Sequence, residues 1–138
     1  MSLDHPRFHA GSVLAAHIHA TLQGTPAAHE VVTSSDITLD LSGGGPALTV
    51  VRATSRPIGY ARWAYSTTIT LVTHGATLDD AWDAHAAAAD VLLAGGAAFD
   101  SPHIISGASC TQEPDELVGR PQDWAAVSST YTAVIRST

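Results

Sequence analysis

The chain has 138 residues, the size of one ordinary domain, and its 45% of hydrophobic and 14% of charged residues are a globular composition. All six basic residues are arginine, and 13 carboxylates leave a formal net charge of −7. An acidic surface disfavours a protein that grips nucleic acid through many phosphate contacts, and the lack of lysine excludes Walker-type phosphate loops and Schiff-base catalysis.

The first predicted element is an amphipathic helix over about 7–23. Its apolar side chains recur at helical spacing, and a Gly-Thr-Pro turn at 24–26 ends the run. Over 31–41 apolar and polar side chains alternate, which predicts a strand with one solvated face. Three glycines at 43–45 follow this strand.

Two longer strands are predicted next, at 47–54 and at 60–73. In the second of them Trp63, Tyr65 and Ile69 share one face, whereas serine and threonine occupy the other. The length of this strand indicates a central place in the sheet.

A second helix is predicted to begin after Thr77. The Thr77 hydroxyl is suited to an N-cap, and Asp79 and Asp80 lie where the helix dipole favours negative charge. An alanine-rich run continues to Ala94, where two glycines should end the helix.

Two further strands are predicted at about 104–111 and 124–136, joined by a long, mostly acidic loop at 112–123. Loops of this length in a compact domain are more often functional than idle. The order α-β-β-β-α-β-β shows no internal repeat and no linker. It predicts one α+β domain over 1–138, in which a mainly antiparallel sheet of about five strands packs against two helices.

The composition also bears on the compartment. No apolar stretch approaches the ~20 residues that span a bilayer, and the polar N-terminus lacks the pattern of a secretory signal, so we expect a soluble protein. Cys110 is the only cysteine, which excludes an intrachain disulfide and indicates a reducing compartment. We expect Cys110 to be a small buried residue, as most free cysteines are.

The eight histidines raise the question of a metal site. His17 and His19 are two apart on a predicted helix, where side chains point about 200° apart, so they cannot chelate one ion. Asp79 and Asp83 share one helical face, but His85 lies off it, and the helix dipole already explains acidic residues at a helix start. We therefore expect no metal, cofactor or catalytic site.

Three other motifs have simple interpretations. Ser109 and Cys110 lack the Gly-x-Ser-x-Gly turn of a hydrolase nucleophile. The glycines at 43–45 have no lysine and precede a strand, so we interpret them as a hairpin tip. Three tryptophans fall on different elements and are predicted in the core or in subunit contacts. They are Trp63, Trp82 and Trp124.

This order of elements resembles the tail-terminator (tail-completion) proteins of long-tailed bacteriophages. The likeness covers about residues 8–136. It is carried by the strand at 48–52, the long strand at 63–72, the capped helix at 77–94, and the stretch at 120–124 that leads into 131–136.

The resemblance implies a structural virion protein and not an enzyme. Six copies would form a ring in the neck of the virion that caps the finished tail tube, ends its polymerisation and provides a docking surface for the head connector. The implied partners are other copies, the tail tube protein, the connector or stopper protein, and genomic DNA that passes without specific binding. Assembly would take place in the host cytoplasm.

Six charged residues are candidates for these surfaces. We expect Asp115 and Glu116, or carboxylates of the strand at 31–41, to line the lumen and repel DNA, so reversing the charge of Asp115 and Glu116 should slow DNA ejection while rings still form. The arginines are expected in subunit or tail-tube contacts. They are Arg52, Arg62, Arg120 and Arg136.

Two alternatives stay open. Another neck ring, a head-completion or stopper protein, would have a similar acidic subunit, and its loss would give DNA-leaking heads instead of overlong tails. A small dimeric ligand-binding or metal-dependent domain would use His74, Asp79, Asp83 and His85. Stoichiometric zinc, manganese or iron in the purified protein would support that second alternative.

Overall fold

The computed structural model describes residues 9–33, 47–58, 64–97, 103–116 and 125–137. Two helices lie in these ranges, α1 (Ala10–Leu22) and α2 (Leu78–Ala94), and neither is long and apolar enough to cross a lipid bilayer. The strands are β1 (Glu30–Thr33), β2 (Leu48–Pro57), β3 (Ala64–Gly75), β4 (Gly96–Ala97), β5 (His103–Ile105), β6 (Ser109–Glu116) and β7 (Ala125–Ser137).

The strands form one sheet in which, among the described pairs, only β1 and β2 run parallel. Neighbours follow the order β1-β2-β3-β7-β5-β4, and β6 pairs with β7 further along the edge that β5 uses. The predicted α+β class and mainly antiparallel sheet are therefore confirmed. The central place predicted for β3 is also confirmed, because it lies between β2 and β7.

Both helices pack on the same face of the sheet. α1 lies on β1 and β2, whereas α2 lies on β3 and β7. Alternate strand residues point towards the helices and form the core with them. Its largest fully buried apolar side chains are Tyr131, Leu14, Ile18, Ile69, Leu71, Leu92, Ile105 and Ile135.

Local sequence determines both ends of α2. Thr77 Oγ1 accepts a hydrogen bond from the Asp80 amide at 3.1 Å, which confirms the predicted N-cap. The helix ends at Gly95, whose φ of 65° favours glycine. A Cβ at Gly95 would also lie 2.6 Å from the carbonyl oxygen of Ile105, so any larger residue would displace β5.

The C-terminal half departs from the predicted order, because the strand expected at 104–111 is two strands, β5 and β6. Between them the chain leaves the sheet to contact the end of α2, where the Ala108 amide donates to the Leu92 carbonyl at 3.0 Å. Gly107 approaches the helix so closely that a Cβ would lie 2.9 Å from the Leu93 carbonyl oxygen. The acidic loop expected at 112–123 is strand as far as Glu116, and the remainder lies outside the described residues.

Other boundaries differ by a few residues. β2 continues to Pro57, past its predicted end at 54. The strand predicted at 31–41 is described only as far as Thr33. The glycines at 43–45 and the tryptophans at 63 and 124 lie outside the described residues.

Candidate functional site: two charged sheet edges

The structure separates the groups that the sequence offered as metal ligands. His74 and His85 are buried, whereas Asp79 and Asp83 are exposed on α2. Within the described ranges no group of three or more His, Cys, Asp or Glu side chains could hold a metal ion. On α1, one of the two histidines is buried and the other exposed, as their helical spacing predicts.

A chain of hydrogen bonds between polar side chains crosses the core beneath α2. It begins at the half-buried His29, whose Nδ1 lies 2.7 Å from the Ala27 carbonyl oxygen, and it ends at the buried Tyr131. In order, the bonds join His29 Nε2 to Thr49 Oγ1 (2.7 Å), Thr49 to Thr73 Oγ1 (2.9 Å), Thr73 Oγ1 to His85 Nδ1 (2.9 Å), His85 Nε2 to Ser129 Oγ (2.6 Å) and Ser129 Oγ to Tyr131 OH (2.7 Å).

Two hydroxyl groups provide partners for both ring nitrogens of His85. Thr73 Oγ1 lies beside Nδ1 and Ser129 Oγ lies beside Nε2, and because a hydroxyl group can donate or accept, a neutral ring uses both its donor and its acceptor. Burial lowers the pKa of His85 to about 4, so the ring is neutral at pH 7. Burial also raises the pKa of Tyr131, which keeps its hydroxyl protonated.

The Ser129–His85 pair resembles a nucleophile with its general base, but the surroundings favour a structural role. Both residues are 0% exposed, so no substrate can reach the hydroxyl. The other partner of the histidine is Thr73 and not the carboxylate that would stabilise a charged ring. The network attaches α2 to β3 and β7 and provides partners for polar groups that would otherwise be buried unpaired.

β6 is an exposed acidic strand at one edge of the sheet. All eight of its residues are exposed, and in the described part of the chain it pairs on one side only, with β7. Glu113, Asp115 and Glu116 supply three carboxylates. Two register shifts and Pro114 are typical of an edge strand. Trp82 Nε1 donates to Glu116 Oε1 at 3.3 Å and links this strand to α2.

The prediction that Cys110 is buried is wrong. Cys110 pairs with Tyr131 of β7, which places it on the helix-facing side of the sheet. The helices, however, pack mainly on β1, β2, β3 and β7, and the Cys110 thiol is exposed. The sequence predicts a strand at Cys110, but it does not show which strands the helices pack against.

The other long edge of the sheet, in β2, is basic. β1 pairs only with Leu48–Val51, so residues 52–57 have no outer partner among the residues described. Arg52, Thr54 and Arg56 are exposed there. Because they are alternate residues of β2, their side chains share one face of the sheet, the face away from the helices. Neither arginine makes an ion pair within the described ranges.

The charged candidates from the sequence fall on both edges. Asp115 lies opposite Ser128, and Arg52 lies opposite Thr70, so both are on the sheet face away from the helices. Arg136 is exposed near the end of β7 on that same face, whereas Glu116 is on the helix-facing side. Arg62 and Arg120 lie outside the described residues.

Sequence reasoning missed Arg56 and Glu113 as members of these two edges. Arg56 was not found because the second strand was predicted to end at residue 54, and the alternation of Arg52, Thr54 and Arg56 is the signal that could have extended it. Glu113 was not found because its segment has no buried face and therefore no alternation of apolar residues.

Comparison with profiles of known protein families and with curated proteins finds no match for this chain. Its function must therefore be inferred from the geometry above. The two charged sheet edges are exposed, whereas the Ser129–His85 pair is buried.

Proposed function

We propose that this chain is a structural subunit of a phage tail, a tail terminator whose copies form a ring. The observation that carries the proposal is the opposite charge on opposite edges of one sheet, with carboxylates on β6 and Arg52 and Arg56 on β2. Each copy can use both edges at once, one towards each neighbour. A contact between two different surfaces, repeated around an axis, closes into a ring.

The same charges disfavour a twofold dimer through either edge. Pairing β6 with β6 would bring the carboxylates of two copies together, and pairing β2 with β2 would bring arginines together. Like charges across a contact cost free energy, whereas opposite charges speed encounter and fix the register. The pattern therefore favours head-to-tail association.

The order α-β-β-β-α, which the structure shares with the predicted order as far as α2, supports a tail terminator among the proteins that form rings. As a terminator, the ring would cap the tail tube, end its polymerisation and provide a docking surface for the head connector. Its other partners would be the tail tube protein and the DNA that passes through the lumen. A formal net charge of −7 suits such a passage, because an acidic surface repels phosphate. This role requires neither catalysis nor a cofactor.

The position of Asp115 supports a place in the subunit contact in preference to the lumen that the sequence alone suggested. It is exposed on the open edge strand and makes no ion pair within the described ranges. Within the described ranges it accepts a local hydrogen bond, from the Glu116 amide to Asp115 Oδ1 at 2.9 Å. A carboxylate in this position is available to an arginine of the next copy.

Solution mass and negative-stain microscopy of the purified protein test the ring. We expect particles of about six copies with a central hole, in an amount that grows with protein concentration. A chain that stays monomeric at every concentration, or that forms only a twofold dimer, would contradict the proposal.

The role in the tail is tested in a phage from which the gene has been removed. Loss of a terminator should give overlong tails, because nothing ends tube polymerisation. Tails of normal length with heads that leak DNA would identify a stopper protein of the neck.

A further inference from the structure

The strand directions allow β6 of one copy and β2 of the next to belong to the same sheet. β2 is antiparallel to β3, β3 to β7, and β7 to β6, so β2 and β7 run one way while β3 and β6 run the other. When the same order of edges repeats around a ring, β6 meets the neighbouring β2 in the antiparallel sense. That is the sense of every pair from β2 to β6 within the subunit.

Among the described residues, both edges lack an outer partner where they would meet. In the described part of the chain β6 offers eight exposed residues, and β2 offers the six at 52–57 that β1 does not cover. An open edge strand is a template for pairing with another chain, and strand addition is a recurrent mode of recognition. We propose that β6 of one copy adds as an antiparallel strand to residues 52–57 of the next, so that one sheet continues around the ring. This inference rests on the ring proposed above.

Charged side chains would complete the contact on the face away from the helices. Arg52 and Arg56 lie on that face of β2, and Asp115 lies on the same face of β6. Side chains opposite each other on one face of paired strands have Cβ atoms about 4.5–5.5 Å apart, within reach of an arginine–carboxylate pair. The three side chains make no ion pair within the described ranges. The proposed pairing would bring Asp115 next to an arginine of the neighbouring β2.

Cys110 provides a probe for this pairing, because it is the only cysteine in the chain and is exposed on β6. It lies on the helix-facing side, which in the proposed sheet it would share with Ser55 and Pro57 of the neighbouring copy. Thr54 is also exposed but lies on the other side. Opposite residues of one face can form a disulfide, since this bond needs Cα atoms about 4.4–6.8 Å apart.

The experiment compares Ser55→Cys, Pro57→Cys and the matched control Thr54→Cys after mild oxidation, on non-reducing gels. We expect a ladder of disulfide-linked multimers with Ser55→Cys or Pro57→Cys, several-fold stronger than with Thr54→Cys. Adding Cys110→Ser to the same chain should abolish the ladder. The solution mass of each variant before oxidation is measured in parallel.

The outcomes distinguish the strand pairing from the ring. Rings that cross-link at neither Ser55 nor Pro57, or equally well at Thr54, would overturn the strand pairing while leaving the ring proposal in place. Protein that stays monomeric at every concentration and gives no ladder would overturn both.

Discussion

His85 is the residue on which the polar part of the core depends. It is fully buried on α2 and bonds to Thr73 and Ser129, hydroxyls from the two strands beneath the helix. A neutral ring has one donor and one acceptor, and these two hydroxyls match them. A charged ring would have to be desolvated without a carboxylate to compensate for it.

We predict that stability falls between pH 6.5 and pH 4 because of His85. Its pKa is about 4 in the folded chain against 6.5 for an ordinary histidine, so within this window the unfolded chain binds more protons than the folded chain. The stability that this histidine contributes is fully present above pH 6.5 and is lost as the pH falls towards 4. The difference amounts to roughly 3 kcal/mol.

Urea unfolding of the wild type and of His85→Gln, at pH 7 and at pH 4.5, measures this effect. Glutamine keeps a donor and an acceptor but does not titrate, so the variant should be about 1–3 kcal/mol less stable at pH 7 because its bonds are poorly aligned. The difference between the two proteins should shrink at pH 4.5. The same loss of stability with pH in both proteins would show that His85 is not its source.

For a single residue, the sequence predicts whether its side chain is buried or exposed better than it predicts the hydrogen-bond partners of that side chain. The spacing on α2 places His85 off the face of Asp79 and Asp83, as the structure confirms. It gives no sign of Thr73, 12 residues away, or of Ser129, 44 residues away. Bonds between polar side chains on distant elements leave no periodic pattern in a sequence.

At the scale of elements, local sequence signals are sufficient to predict α2, because the groups that begin and end this helix lie within a few residues of its ends. The Thr77 hydroxyl bonds to the Asp80 amide three residues on, and Gly95 ends the helix in a conformation that favours glycine. Both signals act within one turn of the helix. The bounds of α2 were therefore predictable without knowledge of the sheet.

We predict that Thr77→Ala destabilises the protein by about 1 kcal/mol, because an amide in the first turn of α2 loses its acceptor. Thr77→Ser retains a hydroxyl in the same place and serves as the matched control. Thermal and urea unfolding of the two variants measure the difference. If alanine and serine have the same effect, the cap does not contribute to the stability of α2.

β6 shows where local signals fail. Its eight residues are all exposed, and from Gln112 onwards, where Pro114 lies, the sequence shows neither alternation nor apolar character and favours a loop. The strand exists because β7 offers a partner edge, which is a tertiary cause. The acidic character of the candidate site was therefore predictable from the sequence, but its form as an edge strand was not.

At the scale of the whole molecule, the net charge does not show that one edge of the sheet is acidic and the other basic. A charge of −7 makes copies repel one another at long range. The contact proposed between β6 and β2, however, joins carboxylates to Arg52 and Arg56 at short range. Assembly should depend on which residues carry the charges and not only on their sum.

We therefore predict that two variants, neither of which assembles alone, form a ring when they are mixed. Arg52→Glu with Arg56→Glu makes both edges acidic, and Glu113→Arg with Asp115→Arg makes both edges basic. Each variant alone places like charges at every contact, so it should stay monomeric. In an equal mixture every contact joins an acidic edge to a basic one, so copies should alternate around the ring.

Size-exclusion chromatography with light scattering measures this assembly. An alternating ring closes only with an even number of copies, which a hexamer satisfies. The matched control, Asp83→Arg with Asp90→Arg, changes the net charge as much as the basic variant does, but on the exposed surface of α2, and should assemble like the wild type. If the wild type forms rings while the mixture stays monomeric, charge does not join these edges. If the α2 control also fails to assemble, the sum of the charges and not their place controls the ring.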